Sequence, residues 1–169
     1  MDGPSIGDNV GNSIYAKSGN GIVYDGAVRD IEGLKEMPNF VSFIRHYHPS
    51  HHFGMLGPRF NTTLIGINCP VRIGQATVMP GVVVLGKEGA VIFIPPHLAE
   101  KVVKTSEVVR LRDMFGHQRL REGKYTAGQI DARWPADIEK DFSAWLRQHM
   151  DKLPVGKEQI EEILKERTW

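Results

Sequence analysis

The chain has 169 residues, of which 41% are hydrophobic and 24% charged, and its formal net charge is +1. Those values fit one ordinary water-compatible domain, or one domain with an appendage, with apolar residues enough for a sizeable core. They give no electrostatic case for nucleic acid, and no apolar run reaches the roughly 18 residues that span a bilayer.

A single cysteine, Cys69, excludes an intrachain disulfide framework and suits a reducing compartment. The N-terminus has no signal-peptide pattern, so the chain is expected to be cytoplasmic.

In chain order, the first informative stretch is Gly7 to Asp30. Asp8 or Asn9 is placed to cap a short helix through Ile14 and Tyr15, which stops at Gly19-Asn20-Gly21. Ile22-Val23-Tyr24 reads as a strand, and Asp25-Gly26-Ala27-Val28 as a turn that delivers Arg29 and Asp30. A helix N-terminus favours anions through its unpaired N–H groups and its dipole. A strand end with a cation beside a carboxylate adds a second anchor and a metal ligand. Together these parts suit a small oxo-acid. An Arg-Asp pair at a strand end is also a common surface feature, and Asp8 is also a plain helix cap.

Residues 31–37 predict one or two helical turns ending before Pro38, and residues 40–44 a strand. A loop follows, with His46, His48, His51 and His52 within seven residues, and it continues through residues 54–61. That spacing matches no closed zinc site. The imidazoles are read as solvated, or, if the loop lies near Arg29, as a source of one substrate ligand or one charge switch near neutral pH. Strand-prone segments at 63–68, 71–73, 76–79, 82–85 and 90–94 predict a compact sheet or barrel, with Cys69 as a buried small hydrophobe. Pro95-Pro96 opens a helix on Leu98, Val102, Val103, Val109, Leu111 and Phe115, closed by Gly116. Residues 117–135 read as an extended connector. Residues 136–150 read as a helix on Ile138, Phe142, Trp145 and Leu146, and residues 157–167 as a last helix on Ile160, Ile163 and Leu164. The organisation expected is a domain over 1–116 and a connector with a helical arm over 117–169, packed on a neighbouring subunit or on its own domain.

Gly7-Asp8-Asn9 followed by Tyr24-Asp25-Gly26-Ala27-Val28-Arg29-Asp30 resembles the signature of one superfamily. It contains the regulator of ribonuclease E activity A and the class II aldolases acting on 4-hydroxy-4-methyl-2-oxoglutarate and 4-carboxy-4-hydroxy-2-oxoadipate. Gly86 to His97 resembles its closing strand and final helix, and the likeness covers residues 1–112. In that superfamily a substantial portion of the domain precedes the first motif. The chain is therefore read as N-terminally short, with uncovered strand edges that favour association.

The resemblance implies an α/β fold of the β/β/α swivelling (phosphohistidine-domain-like) type with a compact mixed sheet or barrel, and a homo-oligomer, trimer or hexamer. It implies that Arg29 contacts the oxo or carboxylate oxygens of a substrate, and that Asp30 holds Mg²⁺, Mn²⁺ or another divalent metal mostly through waters. It implies that the loop of Gly7, Asp8, Asn9 and Val10 binds the substrate carboxylate through backbone N–H groups, with Asp8 as a water-mediated acid/base. The acidic residue usual three positions after the aspartate is replaced by Gly33, one residue past Glu32, and the usual Pro-Gly-Asp turn reads Pro80-Gly81-Val82. The activity implied is retro-aldol cleavage of a 4-hydroxy-2-oxo acid to pyruvate, with oxaloacetate decarboxylation through the same enolate. The alternative is a non-catalytic protein-binding regulator. Lys17, Lys87 and Lys124 lack a partner pattern for Schiff-base chemistry. No glycine-rich S-adenosylmethionine loop supports the methyltransferase label often given to the superfamily.

Overall fold

In the computed structural model, which describes residues 4–50 and 64–165, the first helix, α1 (Asp8–Ser18), starts at Gly7 rather than at a polar cap. Asp8 is its first helical residue, and its Oδ1 accepts from the neighbouring Asn9 N–H at 2.7 Å, so neither predicted cap residue closes the helix start. The predicted end holds: Gly19 turns left-handed (φ 65°) and its N–H donates to the Tyr15 carbonyl at 2.8 Å.

Strand β1 (Ile22–Val28) runs through the predicted turn. A register shift between Tyr24 and Ala27 absorbs the irregular Asp25-Gly26 pair as a bulge, and pairing resumes at Ala27 opposite His46. The Asp25 carboxylate pins this bulge. Oδ1 accepts from Arg45 Nε at 2.5 Å and Oδ2 from the Gly74 N–H at 2.7 Å. The Arg45 hydrogen bond holds the Asp25 carboxyl below its ordinary range.

Strand β2 (Ser42–Tyr47) lies parallel to β1, from Ile22–Ser42 to Val28–Tyr47. Arg45, His46 and Tyr47, predicted for the histidine loop, are therefore strand residues. The β1 ladder carries them beyond the apolar run that composition alone reveals. His51, His52 and residues 54–61 fall outside the described residues. The short α2 (Ile31–Lys35) covers this pair, with Val28, Leu34 and Met37 buried among Ile6, Tyr15, Ile22, Tyr24, Phe40 and Ile44.

The predicted single sheet or barrel over 63–94 is two separate hairpins, β3 (Val71–Ile73) with β4 (Ala76–Val78) and β5 (Val83–Lys87) with β6 (Ala90–Ile94). No barrel closes among the described residues. Each hairpin closes through a two-residue turn, and at Glu88-Gly89 both residues take positive φ (52° and 83°), the geometry that matches strand twist. Residues 64–68 form no strand. Asn68 is left-handed (φ 53°), and Cys69 is only partly buried, its thiol folded over Gly66.

The chain divides into two compact units, residues 1–96 and 97–169. Helix α3 (Pro96–Arg121) passes through Gly116, the predicted stop. Gly116 is buried, and a Cβ there would lie 2.7 Å from Ile130 Cγ2, so the glycine serves packing rather than termination. The predicted connector holds the end of α3 and α4 (Ala127–Asp131), the latter capped reciprocally by Thr126 and Gln129. Helices α5 (Ala136–His149) and α6 (Lys157–Ile163) complete the unit. Its core joins Leu111, Phe115, Trp134, Ile138, Phe142, Trp145, Leu146, Val155 and Ile160. Phe115 sits edge-on to Trp134, Phe142 and Trp145 at 5.3–5.8 Å. Leu98, Val102, Val103 and Val109, predicted for the apolar face of α3, are exposed.

Beside that core Asp141 accepts from Arg119 Nε (2.9 Å), Lys124 Nζ (2.9 Å) and the Tyr125 hydroxyl (3.1 Å). Burial opposes its ionisation, but the Arg119, Lys124 and Tyr125 hydrogen bonds outweigh it and hold the carboxyl below its ordinary value. A folded pKa below the unfolded one means that this contribution is full above the ordinary carboxylate range. It fades as pH falls through the folded value. Asp141→Asn should cost about 2 kcal/mol at pH 7. The deficit relative to wild type should shrink below about pH 4, as read by urea titrations across pH 3–7.

Candidate functional site

Three segments end side by side. Ile6 bridges Val28 in parallel, and Val28 pairs in parallel with Tyr47. The Arg29 N–H donates to the Ile6 carbonyl and the His48 N–H to the Val28 carbonyl, both at 3.0 Å. Parallel strands place ligand sites beyond their carboxyl ends. Leaving that edge are Gly7-Asp8, then Arg29-Asp30 on the middle strand, then His48.

Two close approaches lock the first two pairs together. A Cβ on Gly7 would stand 2.7 Å from Asp30 Oδ2 and 3.0 Å from Arg29 Nε, so the helix start rests directly on the Arg-Asp pair. A Cβ on Gly33 would stand 2.7 Å from Asp8 Cβ and 3.1 Å from its Oδ2. Gly33, read from sequence as a missing acidic residue, is where the Asp8 side chain packs. An acidic side chain there would displace Asp8. Gly33→Ala is accordingly expected to displace Asp8 and the start of α1, at a cost of about 1–3 kcal/mol read by urea unfolding.

Arg29 Nε pairs with Asp30 Oδ2 at 3.1 Å, with the side chains 28% and 43% exposed. Asp30 takes a left-handed conformation (φ 54°, ψ 46°), and its carbonyl accepts the Leu34 N–H at 3.2 Å to begin α2. Such backbone costs an L-residue on the order of 1–3 kcal/mol, and aspartate tolerates it better than most. In α1 the first intrahelical bond runs from the Gly11 N–H to the Gly7 carbonyl at 2.9 Å. The amides of Asp8, Asn9 and Val10 precede it. The Asn9 amide meets Asp8 Oδ1, while the Asn9 and Val10 side chains are exposed.

The structure thus brings Gly7, Asp8, Arg29 and Asp30 together, with Asn9 and Val10 in the adjoining helical turn. Glu32 lies exposed in the first turn of α2. His46 sits exposed in β2 opposite Ala27. His48 is partly buried and its Nδ1 engages Ser50. Sequence reasoning singled out His48 only as one of four clustered imidazoles, and Ser50 not at all; the pairing of two parallel strands is needed to align them with Arg29. Lys87 lies 3.7 Å from Glu88, and Lys124 binds Asp141.

Among the described residues no three His, Cys, Asp or Glu side chains group as a metal cage. The carboxylates of the site are Asp8 and Asp30, a donor set that fits a hydrated magnesium ion, which takes one or two carboxylates and keeps its waters.

Fold and site define a mixed α/β protein in which a glycine-led helix start faces an Arg-Asp pair at the end of parallel strands. The chain belongs to the RraA-like family (Aldolase/RraA), whose model matches residues 2–93, more than half of its length. This bears out the resemblance carried by the two motifs. The family covers both aldolases and ribonuclease E regulators, and its members are typically oligomeric. No curated protein and no solved structure matches the chain.

Proposed function

We propose that the protein is a divalent-metal-dependent lyase that cleaves a 4-hydroxy-2-oxo acid to pyruvate and a second carbonyl compound, with oxaloacetate decarboxylation as a side activity. The observation that carries this reading is the reciprocal packing of Gly7 on Arg29-Asp30 and of Asp8 on Gly33. It gathers a cation, two carboxylates and a helix start at one sheet edge.

In this reading Arg29 holds the oxo and carboxylate oxygens of the substrate, and at the start of α1 the Gly7, Asp8 and Val10 N–H groups receive its carboxylate, joined by that of Asn9 once Asp8 Oδ1 releases it. Cleavage breaks the C3–C4 bond. The C4 hydroxyl passes its proton through a water to Asp8 and becomes a carbonyl, and the electron pair of the broken bond passes to C3 and the C2 oxygen as an enolate. Arg29 stabilises the developing oxyanion. Asp8, through a water, returns a proton to C3 to give the methyl group of pyruvate. Asp30 would hold Mg²⁺ or Mn²⁺ through waters, and such an ion supplies Lewis-acid stabilisation of the same oxygen.

The first unit is read as a β/β/α swivelling domain, and the protein as a cytoplasmic homo-oligomer, trimer or hexamer. The exposed apolar strand Val83-Val84-Leu85, each residue about half accessible, supports association. Gly33 in place of an acidic residue supports the second reading, a non-catalytic regulator acting by protein contact.

Pyruvate release from 4-carboxy-4-hydroxy-2-oxoadipate and from oxaloacetate, with Mg²⁺ and with chelator, tests the choice. Turnover that chelation removes and Mg²⁺ restores is expected. A folded sample inert towards both substrates would favour the regulator.

A further inference from the structure

His48 is the third member of the row whose first two members form the proposed site. Its N–H donates to the Val28 carbonyl, one residue before Arg29. Adjacent strands run about 4.8 Å apart, which sets the His48 backbone about 5 Å from that of Arg29.

The ring is held in one tautomer. The Ser50 backbone N–H reaches His48 Nδ1 at 3.2 Å, and the Ser50 hydroxyl lies 2.8 Å from the same atom. A backbone amide only donates, so Nδ1 is an acceptor, and the proton of the neutral ring is on Nε2. The side chain is partly buried, and among the described residues Nε2 has no hydrogen-bond partner. A donor of fixed tautomer therefore stands, open to solvent, at the edge that carries Arg29 and Asp30. His46, two residues earlier and exposed, has no such clamp among the described residues.

We propose that His48 binds substrate through Nε2–H, donating to an oxygen carried on C4 and so selecting 4-hydroxy-2-oxo acids with a polar group at that carbon. This rests on the lyase reading above. Arg29, on the middle strand, takes the C2 end of the substrate. C4 lies two carbon–carbon bonds further along, on the side of the next strand. With its proton on Nε2 the ring is a donor and not the base that accepts the hydroxyl proton. Ser50 is a positioning residue that acts through Nδ1.

Two reactions of the full-length, Mg²⁺-supplemented protein separate the ends of the substrate. Cleavage of 4-carboxy-4-hydroxy-2-oxoadipate uses both ends, whereas deuterium exchange into the methyl group of pyruvate in D₂O uses only the oxo-acid end. His48→Ala should lower kcat/KM for cleavage about ten- to hundredfold, the worth of one hydrogen bond to a charged group. It should leave pyruvate exchange within about threefold of wild type. His48→Gln, whose amide nitrogen can stand in for Nε2–H, should recover most of the loss, and Ser50→Ala should fall between. Unchanged cleavage by His48→Ala, in a wild-type background that cleaves and exchanges, overturns this assignment alone. So does an equal loss of cleavage and exchange. A wild-type protein that does neither reaction overturns the lyase reading, and this assignment with it.

Discussion

Arg29→Ala is expected to cut Mg²⁺-supported pyruvate release about a thousandfold, the upper range for removing one donor from a developing oxyanion. The fold should survive. Arg29 is 28% exposed, and the carboxylate it leaves behind, Asp30, is 43% exposed and can be solvated by water. Arg29→Lys should restore little, because an ammonium lacks the planar fork that grips two oxygens at once. The measurement is steady-state release of pyruvate, beside circular dichroism to confirm folding. A variant that keeps more than about a tenth of wild-type kcat/KM would remove Arg29 from the chemistry.

The largest effect on stability is expected from Phe142→Ala. Phe142 is 1% exposed and lies 5.3 Å from both Phe115 and Trp134, with Trp145 stacked at 6.2 Å. Truncation opens a cavity among three aromatic rings, Phe115 of α3, Trp145 of α5 and Trp134 just ahead of α5. The expected cost is about 3–5 kcal/mol. Urea unfolding followed by far-ultraviolet circular dichroism would show it, since most of the helical residues among those described lie past residue 96. A cost under about 1 kcal/mol would mean that the rings close over the gap.

What the sequence reveals well is local and periodic. The end of α1 at Gly19, strand β6 and the four apolar residues of α5 needed only turn chemistry and a 3.6-residue period. Distant partners defeated the rest. Gly116 reads as a stop because glycine usually ends helices, yet here it accommodates Ile130, fourteen residues on. Arg45-His46-Tyr47 is polar enough to pass for loop, and only the β1 ladder makes it strand. A compact sheet or barrel was expected from successive strand-prone segments, but each hairpin closes on itself, and the pattern along the chain does not say which strand pairs with which. At the site the Arg-Asp pair and its glycine were legible as a motif. The meaning of Gly33 was not, because it depends on Asp8 arriving from another helix.

The aromatic cluster has a spectroscopic consequence. All three tryptophans lie past residue 96 in the sequence, and two of them, Trp134 and Trp145, are sealed in the second unit's core. Emission from Trp134 and Trp145 therefore watches that core, and the segment carrying Arg29 and His48 has no tryptophan of its own. A denaturation curve taken by fluorescence alone can miss the loss of the site altogether. Phe40→Trp, placed in the small core beneath α1, would give the first unit its own optical signal and let ligand binding and unfolding be followed there separately.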